Sequence, residues 1–156
     1  MGPNPTDRAK RGVKRSLLVE ADGGPLAAVV AAANVPDFKL LAATLDAIVV
    51  PRPKPTPRRV QHLCLDKGYD NDTGWGEALE HDYEPHIAQI RDSRPPNRPS
   101  HPARRWVVER TLGWLSKCRA ILIRYDKKAA NYLGLIQLAC ALLWYRRRHR
   151  LVQDAL

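Results

Sequence analysis

The chain has 156 residues, with 26 Lys and Arg against 16 Asp and Glu, a net charge of +10 and a pI near 10.0. An apolar content of 44% favours a folded domain over a disordered chain. The longest apolar run, residues 138–145, is far shorter than the roughly 18 residues that span a bilayer, so no membrane partner is expected. The positive charge favours a polyanionic partner, although basicity for solubility alone is an alternative.

The charge is unevenly distributed along the chain. Residues 91–119 carry eight Lys and Arg with two acids, and residues 146–150 add four arginines. Residues 66–84 carry seven acids and one lysine. Basic regions around an acidic centre suit an enzyme that holds DNA beside bound metal. The three cysteines form no CxxC pair, which predicts reduced, buried thiols in a cytosolic protein and no zinc site or disulfide.

The first half of the chain predicts a hairpin followed by a helix. Residues 1–15 are polar and basic, which indicates a loop or arm. Residues 16–20 and 26–32 are predicted strands, joined by the turn sequence Asp22-Gly23-Gly24-Pro25. Asp37 is predicted to cap a helix over residues 38–49. Four prolines then predict an extended basic linker over residues 51–59.

The second half alternates further strands and helices. A short buried strand over residues 60–65 is predicted to end at Asp66, followed by a helix over about 73–81 and a strand over 85–90. Residues 91–102 hold four prolines and three arginines and indicate a loop. Helices are predicted over about 103–117 and 129–148, with a short strand or extended turn at 121–125. Together these elements predict one domain, residues 1–156, in which helices pack on a mixed α/β sheet.

Two acids have the setting that phosphodiester chemistry requires. Asp66 follows a buried strand, and Glu109 lies in an apolar helical pattern between Arg105 and Arg110. Two-metal cleavage needs carboxylates that converge from different elements, and Mg²⁺ prefers such oxygen ligands. The alternatives are that Asp66 caps a turn and that Glu109 pairs with an arginine. The five histidines have no HxxxH or HxH spacing and are not predicted as metal ligands, and Trp106 with Trp114 are predicted core residues.

Several segments in combination resemble the DDE transposases of insertion sequences, more narrowly the insertion-sequence-five-like group. The likeness covers nearly the whole chain. The segments are Gly2-Pro3-Asn4-Pro5-Thr6-Asp7-Arg8-Ala9-Lys10-Arg11-Gly12, Ala33-Asn34-Val35-Pro36-Asp37, Asp66-Lys67-Gly68-Tyr69-Asp70 and Arg105-Trp106-Val107-Val108-Glu109-Arg110-Thr111. Tyr125, Asn131-Tyr132 and the run Leu138-Ala139-Cys140-Ala141-Leu142 continue the likeness.

The resemblance implies a ribonuclease-H-like α/β fold that cleaves and joins DNA ends with Mg²⁺ or Mn²⁺. Asp66 matches the second catalytic Asp of the family and Glu109 matches its Glu. The family's first Asp lies on a strand before the Gly-Pro-Asn-Pro segment, and here only Met1 precedes that segment. The domain is therefore expected to be N-terminally truncated and weak or inactive alone, as a second reading frame or a remnant. Asp7 and Asp22 are the nearest acids, but Asp22 is better explained as a residue of the hairpin turn and Asp7 lies in the basic arm.

The expected DNA contacts come from the basic residues. Arg105 lies where related transposases carry an arginine that contacts transposon DNA, and Lys117 stands next to the position of a family lysine. The full predicted set is Arg91, Arg94, Arg98, Arg105, Arg110, Lys117, Arg119, Arg146, Arg147 and Arg148. The expected partners are transposon ends and target DNA, with a possible homodimer or an upstream-frame product, in the bacterial cytoplasm and associated with the nucleoid. The competing hypotheses are an inactive DNA-binding fragment that interferes with or complements a full-length transposase, and a different metal nuclease on the same fold.

Overall fold

A computed structural model describes residues 1–87 and 105–153 of the chain. The predicted basic loop at 91–102, with Arg91, Arg94 and Arg98, lies outside the described residues. The described part contains five strands, five α-helices and two short 3₁₀ helices.

The predicted hairpin is confirmed and is longer than its apolar pattern. Strand β2 (Arg11–Val19) pairs antiparallel with β3 (Pro25–Ala32), from Val13 opposite Ala32 to Val19 opposite Pro25. A third strand, β1 (Gly2–Pro3), pairs antiparallel with Gly12 and Arg11 at the beginning of β2. The prediction of a loop or arm for residues 1–15 is therefore wrong at both ends. Backbone pairing orders these residues, and a hydrophobicity pattern does not detect backbone pairing.

A parallel strand pair follows in the chain. Strand β4 (His62–Leu65) pairs in parallel with β5 (Glu84–Ile87), and α2 (Asp72–Glu80) connects them. The strand that ends before Asp66 and the helix after it are confirmed. Asn71 caps α2, because its side chain accepts a hydrogen bond from the Gly74 amide at 2.9 Å.

The first predicted helix is shorter than expected. A 3₁₀ helix (Asp37–Leu40) leads into α1 (Leu41–Asp46), which ends before residues 47–49. The predicted cap by Asp37 is wrong, because no side chain caps the 3₁₀ helix and the Asp37 carboxylate pairs with the Lys14 ammonium at 3.1 Å. The linker over 51–59 is non-helical as predicted, with a tight turn between Thr56 and Arg59.

Three helices complete the described chain: α3 (Arg105–Leu115), α4 (Arg119–Leu122) and α5 (Ala129–Gln153). The strand or extended turn predicted at 121–125 is wrong at its beginning, because Ile121 lies in α4. The buried Tyr132 hydroxyl donates to the Ile121 carbonyl at 2.8 Å, which joins α4 to α5. The last helix also continues beyond the predicted end at residue 148. No helix among the described residues is long and apolar enough to cross a membrane.

The hairpin separates two hydrophobic clusters. Side chains alternate between the two faces of a strand, and here Leu17 packs in one cluster while Leu18 packs in the other. The first cluster contains Leu115, Ile121, Tyr132, Ile136 and Ala139, so it joins the hairpin to α3, α4 and α5. The second contains Leu41, Leu45, Leu63 and Ala78, so it joins the hairpin to α1, β4 and α2.

The described strands form two sheets rather than the single mixed sheet that was expected. The first has the order β1-β2-β3 and the second contains β4 and β5. This α/β arrangement, with a small parallel sheet and packed helices, is compatible with a ribonuclease-H-like domain.

The turn between β2 and β3 is held by helices from two directions. Gly23, at φ 94°, presents its carbonyl to the buried Thr111 hydroxyl of α3 at 2.8 Å. The Arg110 guanidinium donates to the neighbouring Asp22 carbonyl. From α5, the Trp144 indole N–H donates to the Pro25 carbonyl at 2.8 Å. The turn therefore fixes both helices against the hairpin.

We expect Gly23→Ala to lower the free energy of unfolding by more than about 2 kcal/mol. The left-handed conformation alone costs roughly 1–2 kcal/mol for a residue with a Cβ. The added Cβ would also lie 2.9 Å from Arg110 Nη2 and 3.0 Å from Thr111 Oγ1. Urea unfolding followed by circular dichroism measures the change.

The matched control is Gly113→Ala in α3, where an added Cβ meets nothing within 4 Å. That change is expected to be neutral or to stabilise by up to about 1 kcal/mol, because alanine favours helix over glycine. Equal stability of the two variants would show that the turn does not depend on a residue without a side chain.

Candidate metal and nucleic-acid site

Asp66 lies immediately after β4 and is exposed. It is the N-cap of the 3₁₀ helix Lys67–Tyr69, and its carboxylate accepts a hydrogen bond from the Lys67 amide. The capping role that the sequence left open is therefore present. Burial, with the nearby charges of Asp37 and Asp66, raises the pKa of Tyr69 to about 12, so this phenol stays protonated beside the acid.

Glu109 lies on α3 and is exposed. The buried face of this helix consists of Val107, Thr111 and Leu115, which are spaced by four residues and pack toward the hairpin and the first cluster. Glu109 is two positions from Val107, about 200° around the helix, and so points away from that packed face. Its exposure leaves the carboxylate accessible from solvent.

One groove is lined by residues that are next to the two acids in the chain. It has a volume of about 800 Å³ and is lined by residues 16–21 of β2 and its end, residues 60–65 of β4 and its approach, and Val107 and Val108 of α3. Leu65 lines it directly before Asp66, and Val108 lines it directly before Glu109. Asp66 and Glu109 therefore each follow a groove-lining residue in the chain.

The two tryptophans of α3 flank the side chain of Arg110. The Arg110 guanidinium carbon lies 4.8 Å from the Trp106 ring centroid and 5.1 Å from that of Trp114. Both rings stay exposed, at 57% and 41%, so the prediction that they belong to the core is wrong. The predicted face was displaced by one residue, since Val107, Thr111 and Leu115 form the buried stripe.

Among the predicted DNA-binding residues, Arg147 has partners within the chain. Its guanidinium pairs with the carboxylates of Glu20 and, at 3.2 Å, Asp22, and it lies over Trp144. Arg110 is likewise directed at the turn. Lys117, Arg119, Arg146 and Arg148 are exposed. Arg105 begins α3, and its side chain lies outside the described residues.

The two acids considered as substitutes for a first Asp have basic neighbours. The Asp7 carboxylate lies 3.6 Å from the Lys10 ammonium in the loop between β1 and β2, with both side chains exposed. The Asp22 carboxylate lies in the turn beside Arg147. Asp22 is thus part of the turn that fixes α5, as its sequence context indicated.

A group of three possible metal ligands was missed from the sequence. Parallel pairing places His62 opposite Glu84 and Cys64 opposite His86, so His62, Glu84 and His86 share one face of this sheet. Their ligand atoms lie within 4.8 Å of one another. Nitrogen and carboxylate ligands suit zinc or manganese better than magnesium. His62 is four residues before Asp66, about 13 Å away at 3.3 Å per residue, so this group is separate from Asp66.

Nothing in the His62 and His86 spacing signals this cluster, because it depends on the register between two strands. The thiols also differ from expectation. Cys64 is exposed on the same face, so the prediction of three buried thiols is wrong for this residue. Burial raises the pKa of the Cys140 thiol to about 11, which keeps it protonated.

Comparison with known proteins decides the family. A family model described as the transposase DDE domain matches residues 2–144. A putative transposase for insertion sequence element IS402 from Burkholderia cepacia is 36% identical over 158 aligned residues, which cover 98% of this chain and 72% of that protein. The chain belongs to the DDE transposase family. No solved structure matches it.

Membership of the transposase family supports a role in the transposition of insertion sequences. Transposases bind DNA, and this family generally uses divalent metal ions. Asp66 and Glu109 both fall within the matched residues. The family indicated by the sequence motifs is thus confirmed, while the role of each acid in this transposase stays a prediction.

We expect Glu20→Gln to weaken the transposase fold at neutral pH by about 1–2 kcal/mol, because solvent screening at this partly exposed group reduces the roughly 1.5–3 kcal/mol typical of a hydrogen bond to a charged group. Burial raises the pKa of Glu20, but hydrogen bonds from the Asp22 and Gly24 amides and from Arg147 outweigh it, so the pKa lies below the ordinary 4.5. A lowered folded pKa gives stability that is present above the unfolded pKa and is lost as the pH falls through the folded pKa.

The wild-type chain should therefore lose more stability than the Gln variant between about pH 5 and pH 3, as urea unfolding at each pH would measure. Glu80→Gln, at an exposed position of α2, is the control, and it should lose as much stability as the wild-type chain between these pH values. Parallel curves for wild type and Glu20→Gln would show that the contact between Arg147 and Glu20 contributes nothing to folding.

Proposed function

We propose that this transposase carries out metal-dependent cleavage and strand transfer at insertion-sequence ends, with Asp66 and Glu109 as carboxylate ligands of Mg²⁺ or Mn²⁺. One observation carries the proposal. Leu65 and Val108, which directly precede the two acids in the chain, line the same groove although they are far apart in the sequence. Both acids are exposed to solvent, where a phosphate group has access.

The side chains fit hard divalent cations. Carboxylate oxygens from a strand end and from a packed helix are ligands that Mg²⁺ accepts, with waters and phosphate oxygens completing its shell. A pair of such ions, when bound, activates the attacking water and stabilises the leaving oxygen. The amide of Lys67 orients the Asp66 carboxylate, and the packed stripe of α3 sets the position of Glu109.

Two carboxylates make an incomplete set for a pair of metal ions, so we expect the 156-residue chain alone to cleave weakly. We propose that a third carboxylate reaches the groove from another segment, such as an upstream-frame product or a second copy in a homodimer. The alternative is a catalytically inactive DNA-binding form that interferes with or complements a full-length transposase. In either form, we propose that the protein is located in the bacterial cytoplasm and associates with the nucleoid.

The exposed basic residues suit the phosphate backbone of DNA. Arg146 and Arg148 lie on α5 beside Arg147, whose guanidinium is directed to the turn. The exposed Lys117 and Arg119 lie between α3 and α4. We assign Arg146 and Arg148 to sequence-independent phosphate contacts, because an exposed arginine that neutralises a phosphate group releases counterions from the DNA.

We expect Asp66→Asn and Glu109→Gln each to weaken Mn²⁺ binding at least tenfold, because each removes one charged ligand. The affinity is measured by calorimetry, and nicking of a supercoiled plasmid in Mn²⁺ is measured beside it. Any nicking by the wild-type chain should disappear in both variants. Glu80→Gln is the matched control for loss of one exposed acid.

His62→Ala and Glu84→Gln separate this site from the histidine cluster. Unchanged Mn²⁺ affinity in these two variants is expected, whereas loss of affinity here and retention in Asp66→Asn would move the metal site to the cluster and overturn the proposal. DNA binding with no nicking at any Mn²⁺ concentration would identify the inactive form.

We expect the double variant Arg146→Ala, Arg148→Ala to bind duplex DNA more weakly for all sequences. Its plot of log affinity against log salt concentration should have a slope smaller by about 0.9 for each phosphate group that the protein no longer neutralises. Fluorescence anisotropy at several salt concentrations measures both quantities. Lys39→Ala with Lys54→Ala, two exposed lysines elsewhere, is the control for loss of two charges. An equal effect of both pairs would show a response to net charge alone.

A further inference from the structure

One face of the parallel strand pair carries three ligating side chains. His62 of β4 lies opposite Glu84 of β5, and His86 follows two residues after Glu84 on the same face. The His62 Nδ1 atom lies 3.7 Å from a Glu84 carboxylate oxygen, and the ring centroids of His62 and His86 are 4.6 Å apart. One ligand atom from each side chain lies within 4.8 Å of the other two. The parallel register therefore brings three metal-binding groups together from two strands.

The opposite face of the strand pair is packed and holds the ligand face in place. Leu63 points to that opposite face and packs with Ala78 of α2 in the second hydrophobic cluster, so the ligands point away from α2. His86 is only 6% exposed, so its ring is held by packing. The side chains of His62 and Glu84 are 31% and 44% exposed. An ion can thus enter from solvent and meet an imidazole that is already oriented.

The separations between the ligand atoms suit a zinc ion. Zinc binds histidine nitrogen and carboxylate oxygen at about 2.0–2.2 Å, so two ligand atoms of a tetrahedral site are about 3.3–3.5 Å apart. The distance of 3.7 Å between His62 and Glu84 is close to this value. The two partly exposed side chains can rotate about their χ angles to shorten the longer separations. Three protein ligands leave a fourth position, which water occupies in zinc sites of this kind.

The ligand types favour zinc over the ions proposed for Asp66 and Glu109. Affinity for nitrogen ligands increases from Mn²⁺ toward Cu²⁺ and Zn²⁺, and Mn²⁺ binds such ligands most weakly among the first-row divalent ions. Mg²⁺ prefers oxygen ligands and retains several waters. Two imidazoles and one carboxylate therefore select zinc in a solution that also contains Mg²⁺ or Mn²⁺. The two groups of ligands are expected to take different ions.

We propose that His62, Glu84 and His86 form a Zn²⁺ site, separate from the proposed cleavage site, that joins β4 to β5. One ligand comes from β4 and two come from β5, so the bound ion cross-links the strands. Binding to the folded chain then stabilises it, because the unfolded chain does not hold the three ligands together. Cys64 lies on the same face opposite His86. Among the described residues its sulfur is not within the group of converging ligand atoms, so we assign the fourth position to water.

Calorimetric titration of the full chain with Zn²⁺, in excess Mg²⁺, measures the site. We expect one zinc ion per chain, with at least tenfold lower affinity in His62→Ala and in Glu84→Gln. Circular dichroism should show an unchanged fold for both variants, since both side chains are partly exposed. His149→Ala and Glu80→Gln remove an exposed histidine and an exposed acid elsewhere, and these matched controls should bind zinc as the wild type does. Asp66→Asn should also retain the zinc affinity.

Hydrogen exchange read by mass spectrometry tests whether the ion joins the two strands. Saturating Zn²⁺ should slow exchange at least tenfold for amides of residues 62–65 and 84–87 that bond between β4 and β5. Exchange in the hairpin of β2 and β3 should change less, because neither strand carries a ligand. The response to zinc should be absent in His62→Ala and present in His149→Ala.

X-ray absorption of the zinc-loaded chain identifies the ligand atoms. We expect nitrogen and oxygen alone, at about 2.0–2.2 Å from the ion, and a sulfur ligand at about 2.3 Å would overturn the ligand set. Unchanged zinc affinity in both His62→Ala and Glu84→Gln would overturn the site itself. Loss of zinc binding in Asp66→Asn alone would instead place the ion at the proposed cleavage site. None of these measurements uses DNA, so their outcome is independent of whether the chain cleaves it.

Discussion

The turn between β2 and β3 fixes the side chains of α3 and α5 relative to the hairpin. Gly23, with a backbone conformation that disfavours a Cβ, lets Thr111 and Arg110 of α3 approach the turn carbonyls. These contacts set the rotation of α3 about its axis. Val107 and Val108 then line the groove, while Glu109 and the Trp106 ring stay exposed. Arg147 and Trp144 fix α5 to the same turn, so the hairpin orients both helices.

Features that depend on neighbours in the chain could be predicted from the sequence. The Asp-Gly-Gly-Pro turn between two apolar runs predicts the hairpin, and the structure confirms it. Asp66 after a short apolar run predicts a strand end, which is also where the residue lies. Combined motifs along the chain indicated the DDE transposase family, which the comparisons confirm. In each case a few adjacent residues contain the physical information.

Features that depend on tertiary contacts could not be predicted in the same way. The tryptophans of α3 suggested a buried face, but the contacts of Thr111 and Arg110 rotate the helix by one residue from that expectation. The cluster of His62, Glu84 and His86 exists only in one register of a parallel strand pair. β1 is two residues long, and its pairing with Gly12 uses backbone groups that a sequence pattern does not report. Each of these depends on which segment meets which, and hydrophobic periodicity contains no such information.

The groove is lined by the two elements that carry the proposed metal ligands. Asp66 follows a groove-lining residue of β4 and Glu109 follows one of α3, so the distance between the two acids depends on how rigidly β4 is held relative to α3. Metal sites need their ligands within about 0.5 Å of the productive geometry. Among the described residues, β4 has no backbone pairing with the hairpin. Its position is set instead by the second hydrophobic cluster, in which Leu63 of β4 packs with Leu41 and Leu45 of α1. The distance between the two proposed ligands therefore depends on apolar packing rather than on strand pairing.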